Sequence, residues 1–71
     1  MIENKIKKLG LMVKQARKEQ GLTQQQLAAT TGVGVRFIRE LEQGKASCYI
    51  GKVLAVVSML GLDVMIDGEV L

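Results

Sequence analysis

The residues best suited to chemistry lie between Thr23 and Lys45, in the segment TQQQLAATTGVGVRFIRELEQGK. This segment is typical of two short helices joined by a glycine-bearing turn, with charged residues on the outer face of the second helix. A helix pair of this size is a compact way to place one helix in the major groove of DNA. The segment therefore predicts recognition of double-stranded DNA rather than catalysis.

The other reactive residue types form no catalytic or metal-binding pattern. The chain has no histidine, so Cys48, its one cysteine, has no histidine beside it to activate it as a nucleophile. No set of cysteines and histidines suggests a metal site. Asp63 and Asp67 would share one face of a strand, where we expect them to keep an exposed strand soluble. We expect no catalytic residue, no metal, no cofactor and no enzymatic activity.

Positive charge is concentrated in the part of the chain that holds the helix pair. Residues 1–45 contain nine lysines and arginines against four acidic residues, whereas residues 46–71 contain one lysine against three acidic residues. A surface that meets DNA phosphates requires such a bias. For an isolated run such as Lys5–Lys8, an ordinary solvated helix face is an equally good interpretation.

A chain of 71 residues forms one domain, and one this small needs a disulfide, a metal or a second copy to be well stabilised. A single cysteine allows no internal disulfide, so we expect a homodimer.

Lysines interrupt the apolar N-terminal residues, and no apolar run approaches the roughly 18 residues that span a bilayer. We therefore expect a cytoplasmic, nucleoid-associated protein with no membrane partner.

Apolar residues that recur every three or four positions predict four helices. The helices are predicted over about residues 4–20, from Gln24 to Thr30, from Val35 to Gln43, and from a start between Ser47 and Ile50. The residues expected to face inward are Ile6, Leu9, Val13 and Ala16 on the first helix and Leu27 and Ala28 on the second. On the third they are Ile38 and Leu41, and on the fourth Ile50, Val53, Leu54, Val57 and Leu60.

Several residues mark the helix ends. Thr23 and Gln26 form a capping box, and glycines at 21, 32, 44 and 61 end or separate the helices. Gly10 interrupts the first helix at a cost of about 1 kcal/mol relative to alanine, which predicts loose first turns.

After Gly61 the period changes to two, which predicts a strand over residues 62–67 that Gly68 breaks. No earlier segment resembles a partner for this strand, so we expect it to pair with the same strand of a second copy across a two-fold axis. The predicted division is a DNA-binding domain over residues 1–61 and a dimerisation strand over residues 62–71. The predicted dimer contacts are Leu62, Val64, Met65, Ile66 and Val70.

Residues 9–45 resemble the helix-turn-helix of the phage repressor and Cro class, often called the XRE family. The matching residues are Gly21-Leu22-Thr23-Gln24, Leu27-Ala28, Gly32-Val33, Ile38, Leu41-Glu42 and Gly44-Lys45. The stretches Ile50–Leu54 and Leu60–Leu62, with the strand that follows, are similar to HipB-like antitoxins of toxin–antitoxin operons. The resemblance implies an all-α, lambda-repressor-like domain of four to five helices, with a short C-terminal strand that pairs across a homodimer.

Carried over by position, the resemblance assigns DNA contacts to residues at the start of the second helix and along the third. These are Gln24, Gln25, Val35, Arg36, Arg39, Glu40, Gln43 and Lys45. Gln24 would bind a phosphate, and Gln43 and Lys45 would bind the DNA backbone. Val35 would contact a thymine methyl group, and Arg36 would bind guanine O6 and N7. Arg39 would bind a base or a phosphate, and Glu40 would bind a cytosine amine or one of the arginines.

Plainer interpretations stay open for some of these residues. Gln24 is also a suitable polar first-turn residue, Lys45 an ordinary solvated lysine, and both arginines would fit phosphates alone. Phe37 is expected to pack in the core rather than to wedge between bases. At Gly34 the family usually has a serine, threonine or lysine that caps the third helix.

The resemblance also implies a structural ion pair between Arg17 and Glu42, which ties the first helix to the end of the third. The predicted function is an autorepressor that binds a palindromic operator upstream of its own operon, with a HipA-like kinase toxin as a further partner. The alternatives are a stand-alone or prophage repressor without a toxin, and a protein-interaction module that has lost DNA binding.

Overall fold

The computed structural model describes residues 1–45 and 49–71, so the predictions made for Ser47 and Cys48 lie outside the described residues. In these two ranges the chain forms four helices and a hairpin of two short strands. The elements are α1 (Ile2–Glu19), α2 (Gln24–Thr31), α3 (Val35–Glu42), α4 (Ile50–Met59), β1 (Met65–Ile66) and β2 (Glu69–Val70). The predicted helices are confirmed to within about two residues, the usual uncertainty of helix ends.

Local capping explains where α1 ends and where α2 begins. Gly21, at φ +71°, ends α1, and the Leu22 N–H donates to the Arg17 carbonyl at 3.1 Å. At the start of α2 the Thr23 hydroxyl accepts from the Gln26 N–H at 3.0 Å, and the Gln26 amide oxygen accepts from the Thr23 N–H at 2.8 Å. The predicted capping box is therefore confirmed, and it fixes the start of the helix pair.

The core lies where α2 and α3 pack against each other and against α1 and α4. Its largest fully buried side chains are Leu27, Ile38, Val13 and Val56. The inward positions predicted for α2 and α3 are confirmed, but two positions on α4 differ. Ile50 is 73% exposed, whereas Val56, which was not predicted, is fully buried. The α4 stripe begins at Val53, because the first turn of that helix extends past the edge of the core.

Gly10 does not loosen α1, and that prediction is wrong. The helix is continuous from Ile2, and Gly10 is buried against the last turn of α3. A β-carbon built on Gly10 would overlap the Leu41 carbonyl oxygen and lie 3.0 Å from the Glu42 carbonyl oxygen. The missing side chain is what allows the backbones of α1 and α3 to approach so closely.

The C-terminal segment is a hairpin, so the expectation of a lone strand is wrong. Strand β1 pairs antiparallel with β2, with Met65 opposite Val70 and Ile66 opposite Glu69. Asp67 and Gly68 connect the strands at φ +50° and +79°. Positive φ at both central residues is the geometry of a type I′ turn, for which Asp-Gly is a preferred sequence. Gly68 therefore turns the strand back on itself instead of ending it.

The first half of the predicted strand is irregular. Residues 62–64 lie outside the two strands, although the Val64 carbonyl accepts from the Leu71 N–H at 2.9 Å. Leu62 and Val64 are half-buried against the core of their own chain. Met65, Ile66 and Val70 are 51–61% exposed.

Among the described residues, no helix is both long and apolar enough to cross a membrane.

Candidate nucleic-acid interface

The outer face of α3 presents a row of long polar side chains. Arg36, Arg39 and Gln43 are exposed, whereas Ile38 and Leu41 on the other side of the helix are buried. Spacings of three and four place these three residues in one row along the helix. The hydrophobic side of α3 is fixed in the core, so this row has a defined orientation relative to the domain.

The apolar residues of α3 differ in exposure. Val35 and Phe37 are half-buried and pack against the core, as predicted for Phe37. Part of Val35 stays accessible at the start of the helix, beside Arg36. The ammonium nitrogen of Lys52 lies 5.7 Å from the centre of the Phe37 ring, within cation–π range, so one side of this ring faces a cation.

Glu40 lies between two cations of the outer face. Its Oε2 atom is 3.7 Å from Arg36 Nε and 3.8 Å from Lys45 Nζ. The Arg36 side chain is 85% exposed, so this pair is solvent-screened and weak. Glu40 therefore lies within ion-pair distance of Arg36 and Lys45 without neutralising either strongly.

Beneath this face, a buried polar network joins the first three helices. Arg17 of α1 donates to both carboxylate oxygens of Glu42 at 2.6 and 3.0 Å, and to the Leu22 carbonyl at 2.8 Å. Gln24 of α2 donates its amide N–H to Glu42 at 3.1 Å. The Arg17 and Glu42 side chains are only 9% and 3% exposed, so water screens the pair little. The network holds the start of α2 and the end of α3 in a fixed relation to α1.

The network also sets the protonation of its members. Burial acts to raise the pKa of Glu42, but hydrogen bonds from Arg17 and Gln24, with the positive charges of Arg17 and Lys14, lower it below its ordinary value. The hydrogen bond to Glu42 raises the pKa of Arg17 further above its already high value. Both groups are therefore charged at neutral pH.

Gln24 can bind Glu42 and a group outside the protein at the same time. Its amide nitrogen carries two hydrogens, and only one is needed for Glu42. Gln24 is half-buried and Gln25 is exposed, both in the first turn of α2. The first N–H groups of a helix have no acceptor within the helix, which suits this turn to an anion.

The sequence did not reveal two features of this site. One is the bond between Gln24 and Glu42, because nothing in the separation of these residues indicates that their side chains meet. The other is the place of Lys7, which lies against Gly44 just after α3. Gly34, at the start of α3, has no side-chain cap and open space around its α-carbon.

Comparison with known proteins agrees with this geometry. A family model described as helix-turn-helix matches residues 13–64, from the middle of α1 to the residue before β1. The chain is also 49% identical over 63 residues to the uncharacterized HTH-type transcriptional regulator y4mF of Sinorhizobium fredii (strain NBRC 101917 / NGR234), covering 86% of this chain and 83% of the relative. The family match contains α2, α3 and every residue of the outer row.

Proposed function

The chain belongs to the helix-turn-helix family, and from this premise we propose that it is a sequence-specific DNA-binding repressor of its own operon, acting in the cytoplasm. Family membership supports DNA-binding transcription regulation as the general function. The relative from Sinorhizobium is itself named a transcriptional regulator. The observation that carries the proposal is the exposed row of Arg36, Arg39 and Gln43 on a helix whose opposite side is buried.

We assign base readout to the outer face of α3. Arg36 has the reach and the paired N–H groups to bind guanine O6 and N7, and Arg39 binds a neighbouring base or phosphate. Val35 offers its accessible part to a thymine methyl group. Glu40 has an orienting role in this proposal, because Arg36 and Lys45 already lie close to its carboxylate.

Backbone contacts surround this readout. The free amide hydrogen of Gln24 and the first N–H groups of α2, near Gln25, bind one phosphate. Gln43 and Lys45, at and beyond the end of α3, bind phosphates further along. These contacts set the orientation of the domain on DNA, while α3 supplies the discrimination.

The first experiment is a fluorescence-anisotropy titration with DNA from immediately upstream of the gene and with a scrambled duplex. We expect the upstream DNA to bind at least a thousandfold more tightly than the scrambled duplex, an order typical of specific regulators. Arg36→Ala should weaken operator binding by about 1–3 kcal/mol and reduce discrimination. Lys5→Ala, which removes the same charge from an exposed position on α1, is the matched control. Equal, weak binding to both duplexes would refute the proposal and favour a protein-interaction module.

The repressor acts in this proposal as a homodimer on a palindromic operator, with residues 1–61 binding DNA and the C-terminal hairpin pairing two copies. A two-stranded hairpin alone is marginal in water, and its outer edges carry backbone groups suited to a further strand. Its apolar side chains Met65, Ile66 and Val70 are exposed, unlike Leu62 and Val64, which already contact their own core. Antiparallel pairing across a two-fold axis would satisfy these edge groups, place matching side chains of the two copies side by side, and separate the two α3 helices by about 34 Å.

Sedimentation equilibrium tests the dimer. We expect a dimer at micromolar concentration and a monomer for Ile66→Asp, because the two copies would then place like charges on paired strands. Met12→Asp introduces the same charge at a half-exposed position on α1 and should leave the dimer intact. A monomeric wild-type chain, or a dimer unaffected by Ile66→Asp, would refute this assembly.

A HipA-like kinase toxin is proposed as a second partner, on the resemblance to HipB-like antitoxins alone. Co-expression with the product of the neighbouring gene, followed by affinity purification, tests it. A stable complex is expected. No association at micromolar concentration would instead support a repressor without a toxin.

A further inference from the structure

Four of the five lysines of α1 fall into two groups that differ in position around the helix, and the fifth, Lys18, lies between them at roughly 80° from Gly10. At about 100° per residue, Lys7 and Lys14 lie roughly 60° and 40° from Gly10, while Lys8 and Lys5 lie roughly 160° and 140° from it on the far side. Gly10 marks the line along which α1 touches α3. Lys7 and Lys14 therefore flank α3, and Lys5 and Lys8 face away from it.

Lys7 lies beside the residue that follows α3. A β-carbon built on Gly44 would be 2.8 Å from Lys7 Cγ and 2.9 Å from Lys7 Cα. Gly44 has a φ of +76° and precedes Lys45, already assigned to the DNA backbone. The base of the Lys7 side chain is thus held at the end of α3 while the residue as a whole stays exposed.

Lys14 lies two helical turns further along the same flank, close enough to Glu42 for its charge to act on that carboxylate. Glu42 is already bound to Arg17 through both oxygens and to Gln24. In the described part of the chain, neither Lys14 nor Lys7 has a carboxylate within ion-pair distance. Both charges are therefore available to an external anion.

We propose that Lys7 and Lys14 bind backbone phosphates of the strand that borders α3, which makes α1 a third DNA-contacting element of this domain. A helix is about 10–12 Å across and fills the major groove, about 12 Å wide. α1 crosses the end of α3, where Gly10 meets the carbonyl oxygens of Leu41 and Glu42. There Lys7 lies beside Gly44, next to the proposed phosphate contact of Lys45, and Lys14 lies near Glu42, to which the proposed phosphate contact Gln24 is bonded. The proposal rests on the proposed DNA-binding function and extends it to a surface outside α2 and α3.

The test compares the salt dependence of DNA binding for two double variants in which the same number of charges is removed. Lys7→Gln/Lys14→Gln neutralises the flank next to α3, and Lys5→Gln/Lys8→Gln neutralises the opposite pair. The slope of log Kobs against log salt concentration falls by about 0.9 for each phosphate that the protein no longer neutralises, so the slope of the first variant should be smaller by about 1.8 per bound protomer. The control should keep the wild-type slope. The decrease should be the same on operator and scrambled DNA, because phosphates carry no sequence information.

Glutamine keeps the aliphatic stem that packs on Gly44, and thermal melting verifies that each variant is folded. If the double variant does not fold, Lys14→Gln alone should reduce the slope by about 0.9, because Lys14 is exposed and has no such packing role. Equal slopes for the two double variants would overturn the α1 contact and leave the repressor function standing. Absence of DNA binding by the wild-type chain would overturn both.

Discussion

Replacing Gly10 with alanine should destabilise this domain, which is the reverse of the usual effect in a helix. In an exposed helix interior alanine is favoured over glycine by about 1 kcal/mol. Here the new methyl group would overlap the Leu41 carbonyl oxygen and crowd that of Glu42, and neither backbone oxygen can rotate away. Overpacking a well-packed site costs about 1–3 kcal/mol, and backbone obstacles favour the upper end of that range.

Subtracting the propensity gain leaves a net decrease in stability of about 2 kcal/mol. In a domain of this size that corresponds to a decrease in Tm of about 8–16 °C. Any shift of α1 away from α3 also stretches the bonds between Arg17 and Glu42, which span the same pair of helices.

Thermal unfolding followed by far-UV circular dichroism measures the change in Tm caused by Gly10→Ala, and the chain offers a matched control. Gly51 lies in α4, is exposed, and has nothing within 4 Å of where its β-carbon would be. Gly51→Ala should therefore leave Tm unchanged or raise it by a few degrees, since only propensity acts there. If Gly10→Ala melted at or above the wild-type temperature, the close approach of α1 and α3 would be refuted.

Two further predictions concern the buried network and the start of α3. Glu42→Gln should lower the free energy of unfolding at pH 7 by about 3 kcal/mol, because it leaves Arg17 without its buried counter-charge. The folded-state pKa of Glu42 is lowered, so its contribution is present above the ordinary value of 4.5 and is lost as pH falls through the folded-state value. Urea titrations from pH 7 to pH 3 should show the difference between wild type and Glu42→Gln shrinking on acidification, and a constant difference would contradict this account. Gly34→Ser should raise stability by a few tenths of a kcal/mol, because a hydroxyl would cap α3 in space that is open; a lower Tm would count against the observed start of α3.

The helices could be predicted from the sequence because their signals are local. The capping box at Thr23 and the glycine at 32 act within a few residues, and the three-residue spacing of Ile38 and Leu41 needs no knowledge of the partner surface. The hairpin has a local signal too, since Asp67-Gly68 is a type I′ sequence, but a glycine at that position is equally compatible with the end of a strand.

The rest depended on contacts between distant parts of the chain. Gly10 appears in the sequence only as a weak helix residue, and its role becomes visible when the carbonyl oxygens at the end of α3 are in place. The same holds for the bond between Gln24 and Glu42 and for the contact of Lys7 with Gly44. The candidate roles of the outer residues of α3 came from the family resemblance.

The two sides of α3 are chemically independent, and this has a consequence for how such regulators diverge. Ile38, Leu41 and Glu42 are committed to the interior, whereas Arg36 and Arg39 make no contact on which the core depends. Under the proposed readout, exchanges at the outer positions would alter operator preference while leaving the free energy of folding nearly unchanged. Duplicated copies of the gene would then acquire separate operators through a few surface substitutions. Transfer of the outer residues to a related domain would likewise leave the stability of that domain nearly unchanged.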